Sequence, residues 1–158
     1  MNSNKKKSAP KVVIKNKKAR FEYEFLDTYT AGLVLKGTEI KAIRAQKASI
    51  NEAYCFVHQD EVFIKNMHIG TYEWASFNQH DPKAMRKLLL NYREIKKIFN
   101  EVKNTGITIV PLTLFINDRG LAKLEIAVVK GKKLYDKRQD IKERETSRML
   151  GRVMKKTV

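Results

Sequence analysis

Charge is segregated so sharply along this 158-residue chain that only its middle can form a packed domain. Residues 1–20 carry eight Lys/Arg and no acid, and residues 130–158 carry eleven basic residues against four acidic ones. Residues 21–129 hold fourteen against thirteen, so of a formal net charge of +16 the middle contributes only +1. Blocks of like charge repel one another and stay solvated. A near-neutral middle of roughly 109 residues is long enough to bury its own core. The expected division is a basic arm over 1–15, a folded body over 16–130 and a basic tail over 131–158. Concentrated positive charge gains affinity for a polyanion by counterion release, which points to nucleic acid. The plain alternative is a solvated tail that only aids solubility.

The body reads as mainly β. Phe21, Tyr23 and Phe25 alternate with Glu22 and Glu24, and Tyr29, Ala31, Leu33 and Leu35 resume the two-residue period. Gly37 breaks that run, Thr38 can cap a helix, and Ile40 and Ile43 fit two to three turns. Residues 54–58 and 62–65 flank a Gln59-Asp60-Glu61 turn and predict a hairpin. Asp81 followed by Pro82 reads as a helix start, with Leu88, Tyr92, Ile95, Phe99 and Val102 as one apolar core face. In that helix Leu89 and Asn91 flank the stripe and Leu90 lies opposite, so Leu89 and Leu90 are free for an outside contact. Ile107 and Ile109, then Leu112, Leu114 and Ile116, alternate with a slip at Val110-Pro111, which predicts a bulge. The Asn117-Asp118-Arg119-Gly120 turn leads into Leu124, Ile126 and Val128, which leaves Lys123 outward. Five to seven short, bent strands with one long and one short helix suggest an OB-type β-barrel. A half-open sheet with helices on one face is the other architecture this pattern allows.

Catalytic signatures are missing from the sequence: it has no GxxxxGK[ST] loop, GxSxG elbow, HExxH pair or GGQ-like loop. The carboxylate pairs Glu22/Glu24 and Glu143/Glu145 are of the kind that strand faces and solvated helices produce routinely. No enzyme is expected, and no metal or cofactor, since His58, His68 and His80 lack ligand spacing. Cys55 is the single cysteine, which fits a reducing cytoplasm. No apolar run approaches the ~20 residues needed to cross a bilayer, and no spare apolar repeat demands a dimer. The strongest chemical signal follows the last strand: Gly131, Lys132, Lys133, Leu134, Tyr135, Asp136, Lys137 and Arg138 put a hinge, an aromatic ring and phosphate-binding cations in one stretch. Beyond it Arg144, Arg148 and Arg152 recur every four residues, with Val153 and Met154 adding apolar contacts. Such a tail is expected to be disordered alone and helical when bound, spanning about 25 Å over 140–156.

Five ordered blocks, NKKARFEYEF, TAGLVLKGTEIKAIR, HDPKAMRKLLLNYREI, GITIVPLTLF and VVKGKKLYDKR, resemble the bacterial tmRNA-binding (SsrA-binding, small protein B) family from about Asn16 to Lys156. The resemblance implies an OB-type barrel, a body that binds the tRNA-like domain of tmRNA, and no catalysis. It further implies delivery with an elongation factor to stalled ribosomes for trans-translation, the tail occupying the decoding centre and empty mRNA channel. By motif, Leu89, Asn91 and Lys123 match tmRNA-contact positions, Gly131, Asp136, Lys137 and Arg138 match positions tied to accommodation, and Val153-Met154 resemble an aliphatic-Met pair. Three positions differ from the family pattern: Tyr135 where many relatives have His, Thr30 where an acid is common, and Gln46 where Gly is usual. Two rivals stand beside this reading, a permanent ribosomal or general RNA-binding protein and an enzyme acting on RNA or peptidyl-tRNA.

Overall fold

A computed structural model describes residues 12–72, 79–131 and 142–150. In chain order the elements are β1 (Val12–Lys15), α1 (Ala19–Glu22), β2 (Tyr23–Leu33), α2 (Gly37–Arg44), β3 (Ala48–Ser49), β4 (Tyr54–His58), β5 (Glu61–Lys65), β6 (His68–Ile69), β7 (Arg86–Leu89), α3 (Tyr92–Val102), β8 (Ile107–Ile116), β9 (Ala122–Gly131) and a helix over 142–150, here α4. All paired strands run antiparallel. The larger sheet is ordered β1-β8-β4-β5-β7-β2-β9, and β9 also pairs with β8, so the ladder returns to a strand it has already used. A second, two-stranded sheet joins β3 to β6.

Long strands with alternating burial build the core. Leu114, Leu124 and Ile126 point inward from β8 and β9, and meet Ile64 and Val62 of β5, Leu88 of β7, Ile43 of α2 and Ile98 of α3. The bulge expected at Pro111 is present: Pro111 faces Ile126, the next rung is Thr113 with Glu125, and the register slips between them. A second bulge interrupts β2 between Phe25 and Asp27 and turns Phe25 and Leu26 to solvent. Asn117 closes the β8–β9 turn, its Oδ1 accepting the N–H groups of Arg119 and Leu121, while Gly120 takes φ +77°. In the β4–β5 hairpin the turn is two residues, Gln59 and Asp60, both at positive φ, and Glu61 already pairs with His58. Gln46 sits at φ 59° just after α2, a conformation glycine adopts at less cost.

The helix expected from Asp81 is the main correction. Asp81 does turn the chain, its carboxylate accepting the Lys83 N–H at 3.0 Å, but residues 86–89 then form a strand. There Arg86 and Leu88 point inward, paired with Ile64 and Val62. Lys87 and Leu89 point out, a two-residue period that the triple leucine conceals. The helix starts at Asn91, whose N–H donates to the Glu94 carboxylate at 3.0 Å, the Asn-x-x-Glu signature of a capping box. Its buried side is therefore Ile95, Ile98 and Val102, whereas Tyr92 and Phe99 are exposed rather than core. Leu90 is half-buried and packs against the core, so it is not surplus to packing.

Smaller corrections follow the same logic. Phe21 and Glu22 belong to the single turn α1, so the strand opens at Tyr23. Lys36, not Thr38, is the N-cap of α2, because the Thr38 hydroxyl is bonded to His80 Nδ1 at 2.9 Å. His80 is buried, with Nε2 donating to the Ile69 carbonyl at 3.0 Å, which leaves Nδ1 to accept from Thr38. Residues 12–15 of the expected arm lie in the sheet, pairing with Ile116 to Thr113 of β8.

A polar cluster joins β2 to α3 on the surface. Asp27 Oδ2 accepts hydrogen bonds from Lys97 Nζ at 2.8 Å and from the Tyr29 hydroxyl at 3.0 Å. The Lys97 hydrogen bond chiefly holds the Asp27 carboxyl below its ordinary value, while burial and the same carboxylate push the Tyr29 hydroxyl up to about 12. A group whose pKa is raised on folding contributes stability below its unfolded value and loses it as pH rises through the folded one. Tyr29→Phe is therefore expected to narrow its stability deficit against the parent between about pH 10 and 12. Thermal unfolding of both proteins across that window checks this; a constant difference would remove Tyr29 as the titrating group.

Candidate nucleic-acid interface

Three strands bring the expected body residues onto one outward face. Gly32 of β2 is the hub, paired with Leu89 on one side and with Lys123 on the other. Leu88 and Leu33 fill the core at the adjacent rung, so the pleat turns Leu89 outward, where it is 53% exposed. On β9 the inward Leu124 does the same for Lys123.

Gly32 is what allows the two side chains to share a spot. A Cβ there would lie 3.2 Å from Leu89 Cβ, 3.5 Å from Leu89 Cδ1 and 3.7 Å from Lys123 Nζ. The bare backbone thus forms the floor of a patch with an apolar wall and a cation, a combination suited to a sugar or base and its phosphate. Sequence reasoning missed Gly32; only its strand register, which needs the fold, reveals it.

Asn91 stands two residues beyond Leu89, exposed at the β7–α3 junction as the cap of α3. The structure thus brings Leu89 and Lys123 to either side of Gly32 and holds Asn91 next along the chain, on different grounds from the helix flank predicted from spacing. Thr30 is exposed on the same face of β2 and pairs with Glu125 of β9, so a carboxylate stands on the neighbouring strand.

Gly131 ends β9, paired with Tyr23. Arg144 and Arg148 lie in α4, whose nine residues are all exposed. Arg144 sits over the Phe21 ring, 5.7 Å from its centroid. Lys132, Lys133, Tyr135, Asp136, Lys137, Arg138, Arg152, Val153 and Met154 lie outside the described residues. Among the described residues no group of His, Cys, Asp and Glu could hold a metal ion, and no helix is long and apolar enough to cross a membrane.

Comparison with known proteins finds relatives that match most of the chain. The family model described as SmpB protein matches residues 13–156. The SsrA-binding protein of Christiangramia forsetii is 58% identical over 142 residues, covering 90% of each chain. That of Cytophaga hutchinsonii is 59% identical over 142 residues, covering 90% of this chain and 93% of the relative. A solved structure described as "tmRNA-SmpB: a journey to the center of the bacterial ribosome" superposes with a TM-score of 0.66 at 40% identity, over 80% of this chain and 87% of that one.

Proposed function

Because the chain belongs to the SmpB family of SsrA-binding proteins, we propose that its body binds the tRNA-like domain of tmRNA and its tail acts on the stalled ribosome. The observation that carries the reading is the outward-facing row of exposed Leu89 and half-buried Gly32 and Lys123 on a body that is itself nearly neutral. A neutral body cannot rely on bulk charge, so its contacts with RNA depend on a few placed groups. Leu89 supplies apolar contact, Lys123 a phosphate partner and Asn91 a polar group beside them.

The return of the ladder from β9 to β8 supports an OB-type barrel as the scaffold. The basic tail, with Lys132, Lys133, Tyr135, Asp136, Lys137 and Arg138 near its root and Arg144, Arg148, Arg152, Val153 and Met154 beyond, then occupies the decoding centre and the vacant mRNA channel. It promotes accommodation of alanyl-tmRNA brought by an elongation factor. The protein acts as a cytoplasmic monomer in this scheme, by binding and not by catalysis.

A gel shift comparing tmRNA with an elongator tRNA tests the proposal. The parent is expected to prefer tmRNA, and the Leu89→Ala/Lys123→Glu variant to lose roughly tenfold in tmRNA affinity with its unfolding temperature unchanged. Equal binding of both RNAs, or an unaffected variant, would reject this assignment.

A further inference from the structure

The outward row through Leu89, Gly32 and Lys123 does not stop at β9. Lys123 stands opposite Phe115 of β8, and Phe115 opposite Val13 of β1. Two residues along each strand, a second row on the same face runs through Thr30, Glu125, Thr113 and Lys15. Residues two apart on a strand lie about 7 Å from one another. The second row is therefore an immediate neighbour of the first, and at its β1 end the surface sinks into a cavity of about 310 Å³.

Four cations line this cavity, Lys15, Lys17, Arg20 and Arg144, against one carboxylate, Glu125. They come from three separate stretches of chain: the end of β1 with its following turn, α1, and α4. Asn16, buried in the wall, fixes the first of these. Its N–H donates to the Leu112 carbonyl at 2.8 Å and its Nδ2 to the Pro111 carbonyl at 3.0 Å, pinning the strand end to the bulge of β8. Lys15 and Lys17 flank this anchor, both exposed, and neither forms an ion pair among the described residues. The α4 side is held by Arg144 over Phe21.

We propose that the cavity holds a backbone phosphate of the RNA that crosses the Leu89–Lys123 row, clamped between the β1–α1 segment of the body and Arg144 of the tail helix. The inference rests on the tmRNA reading for the identity of the RNA. Converging Lys and Arg groups suit a tetrahedral dianion or phosphodiester, Arg by its fork and Lys as a point charge. Continuity with the first row selects a nucleic-acid phosphate over a free one. The tail then contributes to a site on the body whenever α4 lies along β1.

Two arms with the full-length protein test the proposal. In the first, inorganic phosphate is titrated at constant ionic strength while backbone amide resonances are followed. Residues 15–17 and 113 are expected to shift saturably, in the parent and in Leu89→Ala alike. In the second, binding of the tRNA-like RNA is measured against salt. Lys15→Glu/Lys17→Glu is expected to lose roughly tenfold in affinity and about one unit of log–log salt slope. Arg144→Ala is expected to lose less, in the same direction, and the exposed control Lys65→Glu/Lys96→Glu to change little.

A saturable phosphate response with unchanged RNA binding in the reversal variant would make this a free-phosphate site and overturn the RNA assignment. Absence of both effects, or an equal loss in the control, would overturn the cavity as a site. Failure of the parent to prefer tmRNA, with the phosphate response intact, would defeat the tmRNA reading and the RNA assignment while keeping the cavity.

Discussion

Removing residues 131–158 is expected to leave tmRNA binding within about fivefold of the full chain and to reduce peptide tagging on stalled ribosomes to background. The body residues proposed to contact tmRNA all lie upstream of the cut, and truncation after Lys130 takes from the sheet only Gly131, the last rung with Tyr23. The cavity at β1 loses Arg144 but keeps Lys15, Lys17 and Arg20, so the cost to RNA affinity is that of one phosphate-facing cation among four. The ribosome loses far more. Residues 131–158 carry ten basic and four acidic residues, and each neutralised phosphate contributes a salt slope of roughly 0.7 to 0.9. Filter binding at several salt concentrations and a tagging assay on ribosomes stalled without a stop codon read the two effects separately. Parallel loss of both activities would reject the division between body and tail, as would normal tagging by the truncated protein.

Strand periodicity was legible wherever a strand buries one face and exposes the other. β9 alternates from Ala122 to Ile126 before Ala127 and Val129 are buried on the other face with Ala19 of α1, and Pro111 announces the bulge of β8 because proline cannot donate to the ladder. The same reasoning failed over 81–89. Asp81-Pro82 is a sound helix start locally, and the spacing of Leu88, Tyr92, Ile95 and Phe99 fits a helical face. Tertiary pairing overrides it, since Arg86 and Leu88 have partners on β5 that no local signal names. Asn91 and Glu94 carried the correct boundary all along.

The same limit applies to the site. Lys123 was readable as outward from its neighbours on β9, and Leu89 as surplus to packing, yet their meeting over Gly32 depends on the order β7-β2-β9. β1 was hidden because Lys15 and the lysines flanking the strand read as part of a solvated arm, while Val12 and Ile14 lie against the core. The cavity beside it was hidden with it.

The ion pair between Glu39 and Arg86 gives the largest expected stability effect. Both residues are 3% exposed, and Arg86 Nε donates to Glu39 Oε2 across the space between α2 and β7. Arg86 also donates to the carbonyls of Met67 at 2.8 Å, Asp81 at 3.2 Å and Pro82 at 3.3 Å, tying the link between β5 and β6 and the turn before β7 to that strand. Arg86→Met leaves a buried carboxylate without its cation and takes from the Met67 carbonyl its Arg86 donor, whereas the Asp81 and Pro82 carbonyls keep the N–H groups of Ala84 and Ile69. Breaking one partner of such a pair costs about 3–5 kcal/mol, enough to lower the unfolding temperature by roughly 12 °C or more in a domain of this size. Glu39→Leu/Arg86→Met removes the stranded charge but not the unpaired Met67 carbonyl, so it should recover only part of the loss. Because β7 carries Leu89 next to Gly32, the single variant should also weaken tmRNA binding at temperatures where it remains folded. Denaturant unfolding of the parent, the single and the double variants decides the matter: a cost under about 1 kcal/mol for Arg86→Met, or full recovery in the double variant, would show that Arg86 does not hold this corner of the fold.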